Sequence, residues 1–170
     1  MDHANIALTG FMAAGKTVVG QRLARSLGWS FVDLDAVIEA GEGCAVREIF
    51  DRRGEPYFRE REKAALARVL EGSAQVIALG GGAVVDGDNR RLLKQRSLLV
   101  WLKVSPRTVL DRVGESDDRP LLRGPDRLKR IEELSARREA IYAEAGVTVD
   151  TDELTVDQVV RRIEKQLCRP

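Results

Sequence analysis

Residues Gly10 to Thr17 read GFMAAGKT: a glycine, four further residues, then Gly-Lys-Thr. The match is to G-x-x-x-x-G-K-[ST], and its context is right, directly after a short apolar run and opening a helical pattern. Backbone N–H groups of such a loop, and of the helix it opens, cradle phosphate oxygens. Lys16 would neutralise charge on the β- and γ-phosphates, and the Thr17 hydroxyl would reach Mg²⁺. The chemistry expected is binding of a nucleoside triphosphate and transfer of its terminal phosphoryl group. The loop itself does not say what accepts that group.

Candidates for the acceptor side lie further along the chain. VDLD carries Asp33 and Asp35 at the end of an apolar segment. With a strand period of two they share one face. One carboxylate could then orient Mg²⁺ water while the other takes a hydrogen bond from a substrate hydroxyl, or one or both cap the following helix. The segment VIAL ends in Gly80, Gly81 and Gly82, where many phosphate-loop proteins have an acidic residue for Mg²⁺. These glycines either let another molecule approach the backbone closely or form a plain tight turn. The missing carboxylate then has to come from elsewhere, and Asp33 is the nearest candidate.

Arg138 supplies an independent clue. In DRLKRIEELSARREAIYAEA, stepping round at about 100° per residue gives an apolar stripe of Leu128, Ile131, Leu134, Ile141, Tyr142 and Ala145. Arg138 falls in the middle of that stripe, and Arg137 lies well off it. An inward guanidinium must be paired, either with an internal carboxylate or with an anionic ligand, whose planar oxygens suit its fork. The run PYFRERE holds Arg59, Arg61 and Glu62. Periodicity sets Arg59 and Arg61 on opposite flanks of the apolar stripe and does not choose between them. Arg119, in the irregular stretch GESDDRPLLRGPD, is either idle or carried on a lid that closes over phosphate.

The elements that must position these residues alternate. NIALTG reads as a buried strand, followed by a helix with Val19, Leu23 and Leu27 that stops at Gly28. FVDLD is a second strand, and residues from about Leu34 to Gly72 are helical with a break at Gly54 to Pro56. QVIALGGG and SLLVWLKV are the third and fourth strands. Ser105 then caps a helix with Pro106 in its first turn. A helix from about Asp126 to Ala145 leads into VTVDT as the last strand, and Thr155 with Gln158 forms a capping box for a closing helix. Alternating strands and helices imply an α/β layered fold on a parallel sheet.

At 170 residues the chain is expected to be one domain. A formal net charge of +1 gives no electrostatic reason to expect nucleic acid or an anionic membrane as partner. Cys44 and Cys168 have neither metal-ligand nor redox spacing, so reduced thiols in a cytoplasmic protein are expected. No basic leader precedes an apolar segment, and no run of about 18 apolar residues is present, so neither a signal peptide nor a membrane span is expected.

In order and spacing, GFMAAGKT, FVDLD, FRERE, LGGGAV, RPLL and RREAIY resemble the shikimate kinase family over nearly the whole chain. The phosphate loop alone is shared by a very large superfamily, whereas the ordered set is specific. The resemblance implies ATP-dependent phosphorylation of the 3-hydroxyl of shikimate, on the route to chorismate and the aromatic amino acids. It also implies a three-layer fold like the nucleoside monophosphate kinases, with a five-stranded parallel sheet flanked by helices. A substrate-binding segment over about residues 34–62, a lid over about 114–125 and a monomer are implied as well. By position, Asp35 would contact the accepting hydroxyl, Arg59 and Arg138 would grip the carboxylate, and Gly80, Gly81 and Gly82 would line the pocket. Glu62 would orient Arg59. ATP would be held by Ala13, Ala14, Gly15, Lys16, Thr17 and Val18, with Arg112, Arg119 and Val156. Lys16, Asp35 and Arg119 would serve the transfer, and Thr17 and Asp33 would serve Mg²⁺.

Two positions depart from the family pattern. The family usually has glycine at Ala13. Alanine at positive φ costs on the order of 1 kcal/mol, so Ala13 is expected to keep φ < 0 unless the loop is strained. Val156 stands near a position often held by proline, against the adenine and opposite Arg112. The acceptor chemistry also suits another small-molecule kinase, such as a gluconate kinase. An ATP-binding module without catalysis is a further alternative, which leaves an inward Arg138 and the two aspartates without a task.

Overall fold

Asn5–Thr9 forms β1, buried along its whole length, because it is the middle strand of a five-stranded sheet. With β2 (Ser30–Asp33), β3 (Gln75–Ala78), β4 (Ser97–Lys103) and β5 (Val147–Asp150), the strand order is β2-β3-β1-β4-β5. All neighbouring pairs are parallel, with Ala7 opposite both Ile77 and Leu99. A strand covered on both faces has to be apolar throughout, which is why NIALT shows no alternation. Its single amide is anchored: the buried Asn5 side chain donates to the Gly72 carbonyl at 2.8 Å and accepts from the Gln75 N–H at 3.1 Å. The computed structural model describes residues 4–113 and 126–167. The expected lid with Arg119, and Cys168, lie outside the described residues.

The sheet is flanked by α1 (Lys16–Leu27), α2 (Leu34–Glu42), α3 (Val46–Val69), α4 (Gly87–Arg96), α5 (Pro106–Val113), α6 (Arg127–Tyr142) and α7 (Val156–Leu167). Helices α1 and α7 pack side by side, α2 lies on α3, and α5 lies on α6. Among the described residues, no helix is long and apolar enough to cross a membrane. Two expected caps are present. The Ser105 hydroxyl accepts from the Thr108 N–H at 3.2 Å at the start of α5. Thr155 and Gln158 exchange bonds of 2.8 and 3.3 Å at the start of α7, satisfying two N–H groups the helix leaves open.

Three sequence readings need correction. The stretch from Leu34 to Gly72 is two helices, because Gly43 ends α2 at φ 69°. The expected break inside α3 is present at Gly54, with φ 80° and ψ 171°, a conformation only glycine adopts without strain. Second, β2 ends at Asp33, so Asp33 and Asp35 do not share a strand face. Asp33 is the N-cap of α2, its Oδ1 accepting from the Asp35 N–H at 3.1 Å, and Asp35 stands in the first helical turn. The cost of open helix N–H groups ends the strand there. Third, α4 was not anticipated; it is capped by Asp86, which accepts from the Asp88 and Asn89 N–H groups at 2.7 and 3.0 Å.

The strand ends converge. Leu8 and Asp33 both stand opposite Ala78, so the phosphate loop, Asp33 and the glycine turn leave the sheet at one level. That carboxyl edge is where open α/β sheets bind ligands.

Candidate active site

The phosphate loop leaves β1 through Gly10 at φ 142°, and a Cβ there would lie 2.5 Å from the Leu102 carbonyl oxygen. The loop then turns sharply, the Ala14 N–H donating to the Phe11 carbonyl at 3.3 Å. Ala13 is the third residue of that turn and has φ 59°, as type II turns require at this place. The expectation of φ < 0 is therefore overturned. The loop takes the left-handed conformation with alanine in place of glycine, and the Arg112 Nη1 holds the Ala13 carbonyl at 2.9 Å. Replacing Ala13 by Gly is expected to relieve strain and raise stability by up to about 1 kcal/mol, since the strain slightly exceeds the entropy glycine adds to the unfolded chain. Chemical denaturation checks this, and a loss of stability would show that the turn is unstrained.

Gly15, at φ 89°, opens α1. Lys16 Nζ donates to the Gly10 and Phe11 carbonyls at 3.0 Å each, which folds the lysine back along the loop. A cavity of about 240 Å³ is lined by Ala13, Gly15, Lys16, Thr17, Val18, Asp33 and Asp35, among others. Of the expected nucleotide residues, Ala14 points elsewhere and is buried in the core. Arg112 joins the loop to the Thr151 carbonyl at 3.3 Å, and Val156 packs on the core at the start of α7; neither lines this cavity. The Thr17 hydroxyl donates to Asp33 Oδ2 at 3.0 Å. Paired hard oxygens beside a phosphate cradle suit Mg²⁺, which keeps most of its waters and takes few protein ligands. Among the described residues no cluster of three or more His, Cys, Asp or Glu side chains could hold a metal by itself.

A second cavity, about 550 Å³, is walled by Asp35, Arg59, Glu62, the three glycines and Arg138, with Phe50 and Phe58 as an apolar side. Asp35 and Met12 line both cavities, so Asp35 stands where a donor phosphate and an acceptor would meet. Its Oδ1 is buried without a hydrogen-bond partner among the described residues. Burial pushes the Asp35 carboxyl above its usual range, with Asp33 and Glu39 adding to the shift and Lys16 and Arg59 opposing it.

The two guanidiniums are held differently. Arg59 donates to Glu62 Oε2 at 2.8 Å and to Glu55 Oε1 at 3.0 Å. Glu62 is 1% exposed, and burial raises its carboxyl despite the hydrogen bond from Arg59. This decides between the two arginines of PYFRERE: Arg61 is exposed, lying over the Tyr57 ring 3.7 Å from Glu42. Arg138 is partly buried, as the stripe implied, and Arg137 is exposed. Arg138 Nη1 donates to the Gly81 carbonyl at 3.1 Å, and among the described residues no carboxylate forms an ion pair with it.

The glycine turn is a close approach rather than a plain turn. A Cβ at Gly80 would lie 2.9 Å from both Asp35 Oδ1 and Glu62 Oε1, and one at Gly82 would lie 2.6 Å from Arg59 Nη1 and Nη2. Gly82→Ala is therefore expected to push the Arg59 guanidinium aside and raise KM for an anionic acceptor in this cavity about tenfold or more, with a small change in Tm. Steady-state kinetics checks it, and an unchanged KM would mean that Arg59 has slack. The sequence reading missed Phe50 and Phe58, whose rings stand 4.7 Å apart, and the hydroxyl of Tyr142. The aromatic pair straddles the Gly54 break, so no single helical period joins them.

A phosphate loop at the middle strand of a parallel sheet, with a carboxylate between the phosphate cavity and a cationic acceptor cavity, defines a phosphate-loop kinase of nucleoside monophosphate kinase-like architecture. The comparisons with known proteins narrow this. A family model described as shikimate kinase matches residues 12–168, and the chain belongs to that family. It is 50% identical over 163 residues to a shikimate kinase of Moorella thermoacetica, covering 96% of this chain and 94% of that protein. The structure of a shikimate kinase from Acinetobacter baumannii in complex with shikimate superposes with a TM-score of 0.93 at 35% identity, over 98% of this chain and 93% of that one. A deoxyadenosine kinase from M. mycoides, at 14% identity and TM-score 0.62 over 97% of this chain and 100% of that one, shares the fold.

Proposed function

We propose that this chain transfers the terminal phosphoryl group of ATP to the 3-hydroxyl of shikimate, giving shikimate 3-phosphate and ADP. The observation that carries the reading is Asp35, a half-buried carboxylate that lines both cavities and whose Oδ1 is buried without a hydrogen-bond partner among the described residues. Arg59 and Arg138 face the acceptor cavity from two helices and bind the substrate carboxylate, while Phe50 and Phe58 take the ring. The substrate hydroxyl then points at the Asp35 carboxylate, which orients it and takes its proton. Lys16 leaves the Gly10 and Phe11 carbonyls for the phosphates. Thr17 and Asp33 would hold Mg²⁺, which neutralises charge on the phosphates of bound ATP. Because phosphoryl transfer has a loose transition state, positioning and charge stabilisation matter more than a strong base.

The cytoplasm and a monomeric state are extended to this chain from the family. A gluconate kinase would also use arginines and an aspartate, so the test compares ADP release from MgATP with shikimate, with gluconate and with no acceptor. Release that depends on shikimate is expected. Equal rates in all three would contradict the kinase assignment, and preference for gluconate would contradict the substrate.

A further inference from the structure

We propose that Tyr142 is a positioning residue for substrate binding, acting through the Gly81 carbonyl and Arg138. The inference rests on the reading of Arg138 as a carboxylate clamp. Arg138 and Tyr142 stand four residues apart in α6, on one helix face. Both donate to the same oxygen: Tyr142 Oη reaches the Gly81 carbonyl at 2.7 Å and Arg138 Nη1 reaches it at 3.1 Å. A carbonyl has two lone pairs, so one oxygen can serve both donors.

The tyrosine is the fixed member of the pair. Its side chain is 2% exposed, and its ring lies 5.8 Å from that of Trp101. Trp101 stands opposite Thr9 in the sheet, next to the start of the phosphate loop. A Cβ on Gly81 would lie 3.6 Å from the Gly10 carbonyl oxygen, so the glycine turn runs beside the loop. Tyr142 thus ties the Gly81 carbonyl to the frame that places the phosphates. Arg138 is aimed from that carbonyl, with the Phe11 ring 6.0 Å away and the Glu62 carboxylate on the same cavity wall. Without the hydroxyl, the carbonyl is free to follow the guanidinium, and the clamp loses its fixed reference.

The test measures KM and kcat for shikimate and ATP, with thermal unfolding, in Tyr142→Phe, Arg138→Ala and Ile131→Val. Ile131 is fully buried in the same helix, about two turns before Arg138 and three before Tyr142, so Ile131→Val controls for loosened packing. For Tyr142→Phe, KM for shikimate is expected to rise about five- to tenfold, the worth of one lost hydrogen bond. Its kcat should stay within about twofold and KM for ATP should not move. Ile131→Val should lower Tm and leave KM for shikimate alone. An unchanged shikimate KM in Tyr142→Phe, beside a large rise in Arg138→Ala, overturns the role of Tyr142 while the clamp stands. An unchanged KM in Arg138→Ala removes the clamp and this inference with it. A rise in Ile131→Val equal to that in Tyr142→Phe overturns the inference in favour of packing.

Discussion

Asp35→Asn is expected to lower kcat about 10²- to 10⁴-fold, the usual range for loss of a positioned base, while binding of shikimate changes little. The amide keeps the shape of the carboxylate but cannot take the proton of the hydroxyl. The same substitution is expected to raise Tm. Burial holds the Asp35 carboxyl above its ordinary value of 3.8, so the folded protein binds that proton more tightly than the unfolded chain. Ionising Asp35 therefore costs stability. The cost is absent below about the ordinary value, grows as pH rises towards the folded pKa, and is fully present above it. Asparagine removes it, so the gain in Tm should appear at neutral pH and vanish in acid. Activity runs the other way: kcat/KM of the wild type should fall, as pH is lowered, earlier than an ordinary carboxylate would make it. A stable, inactive variant would mark Asp35 as a strained catalytic group. An active variant with lowered Tm would mark it as merely structural.

Arg138→Ala is expected to raise KM for shikimate about 10²-fold or more, with a much smaller change in kcat. Truncating one partner of a buried, hydrogen-bonded charge pair costs about 2–5 kcal/mol, and tenfold corresponds to about 1.4 kcal/mol. The carboxylate it would bind is remote from the reacting hydroxyl and is held equally before and during transfer, so the loss falls on KM. Tm should hold or rise, because among the described residues Arg138 forms no ion pair with a carboxylate. Arg59→Ala offers the contrast. It strands Glu62, buried at 1% exposure, so it should lose stability together with substrate binding. Calorimetric binding and thermal unfolding separate the two arginines, and equal losses of Tm would mean that Arg138 also has an internal carboxylate partner.

Much of this site was legible in the sequence where one period governed the local structure. Arg138 could be placed inward because α6 runs unbroken from Arg127 to Tyr142 and its apolar residues keep phase. Arg59 could not be told from Arg61, because the two lie on opposite flanks of the stripe that Phe58, Glu62 and Leu66 bury, and only the family resemblance chose between them. The pair Asp33 and Asp35 was misread as a strand face because capping is decided by competing N–H groups, which a period of two does not register. Helix α4 was missed because its only buried residues are Asn89 and Leu93, too few for an apolar stripe. Ala13 was misjudged for a different reason. Its local preference for negative φ is outweighed by the turn that the Phe11 carbonyl and the Arg112 guanidinium close around it, and both come from outside the residue.

The central claim is that the terminal phosphoryl group of ATP passes to one particular oxygen of the acceptor, whose proton Asp35 takes. Phosphorus and proton NMR of the product formed from MgATP and shikimate tests it most directly. The account predicts a single new phosphomonoester signal coupled to the proton on carbon 3 of shikimate, with ADP formed in equal amount. Inorganic phosphate as the only new species, or phosphate on another hydroxyl, would contradict it.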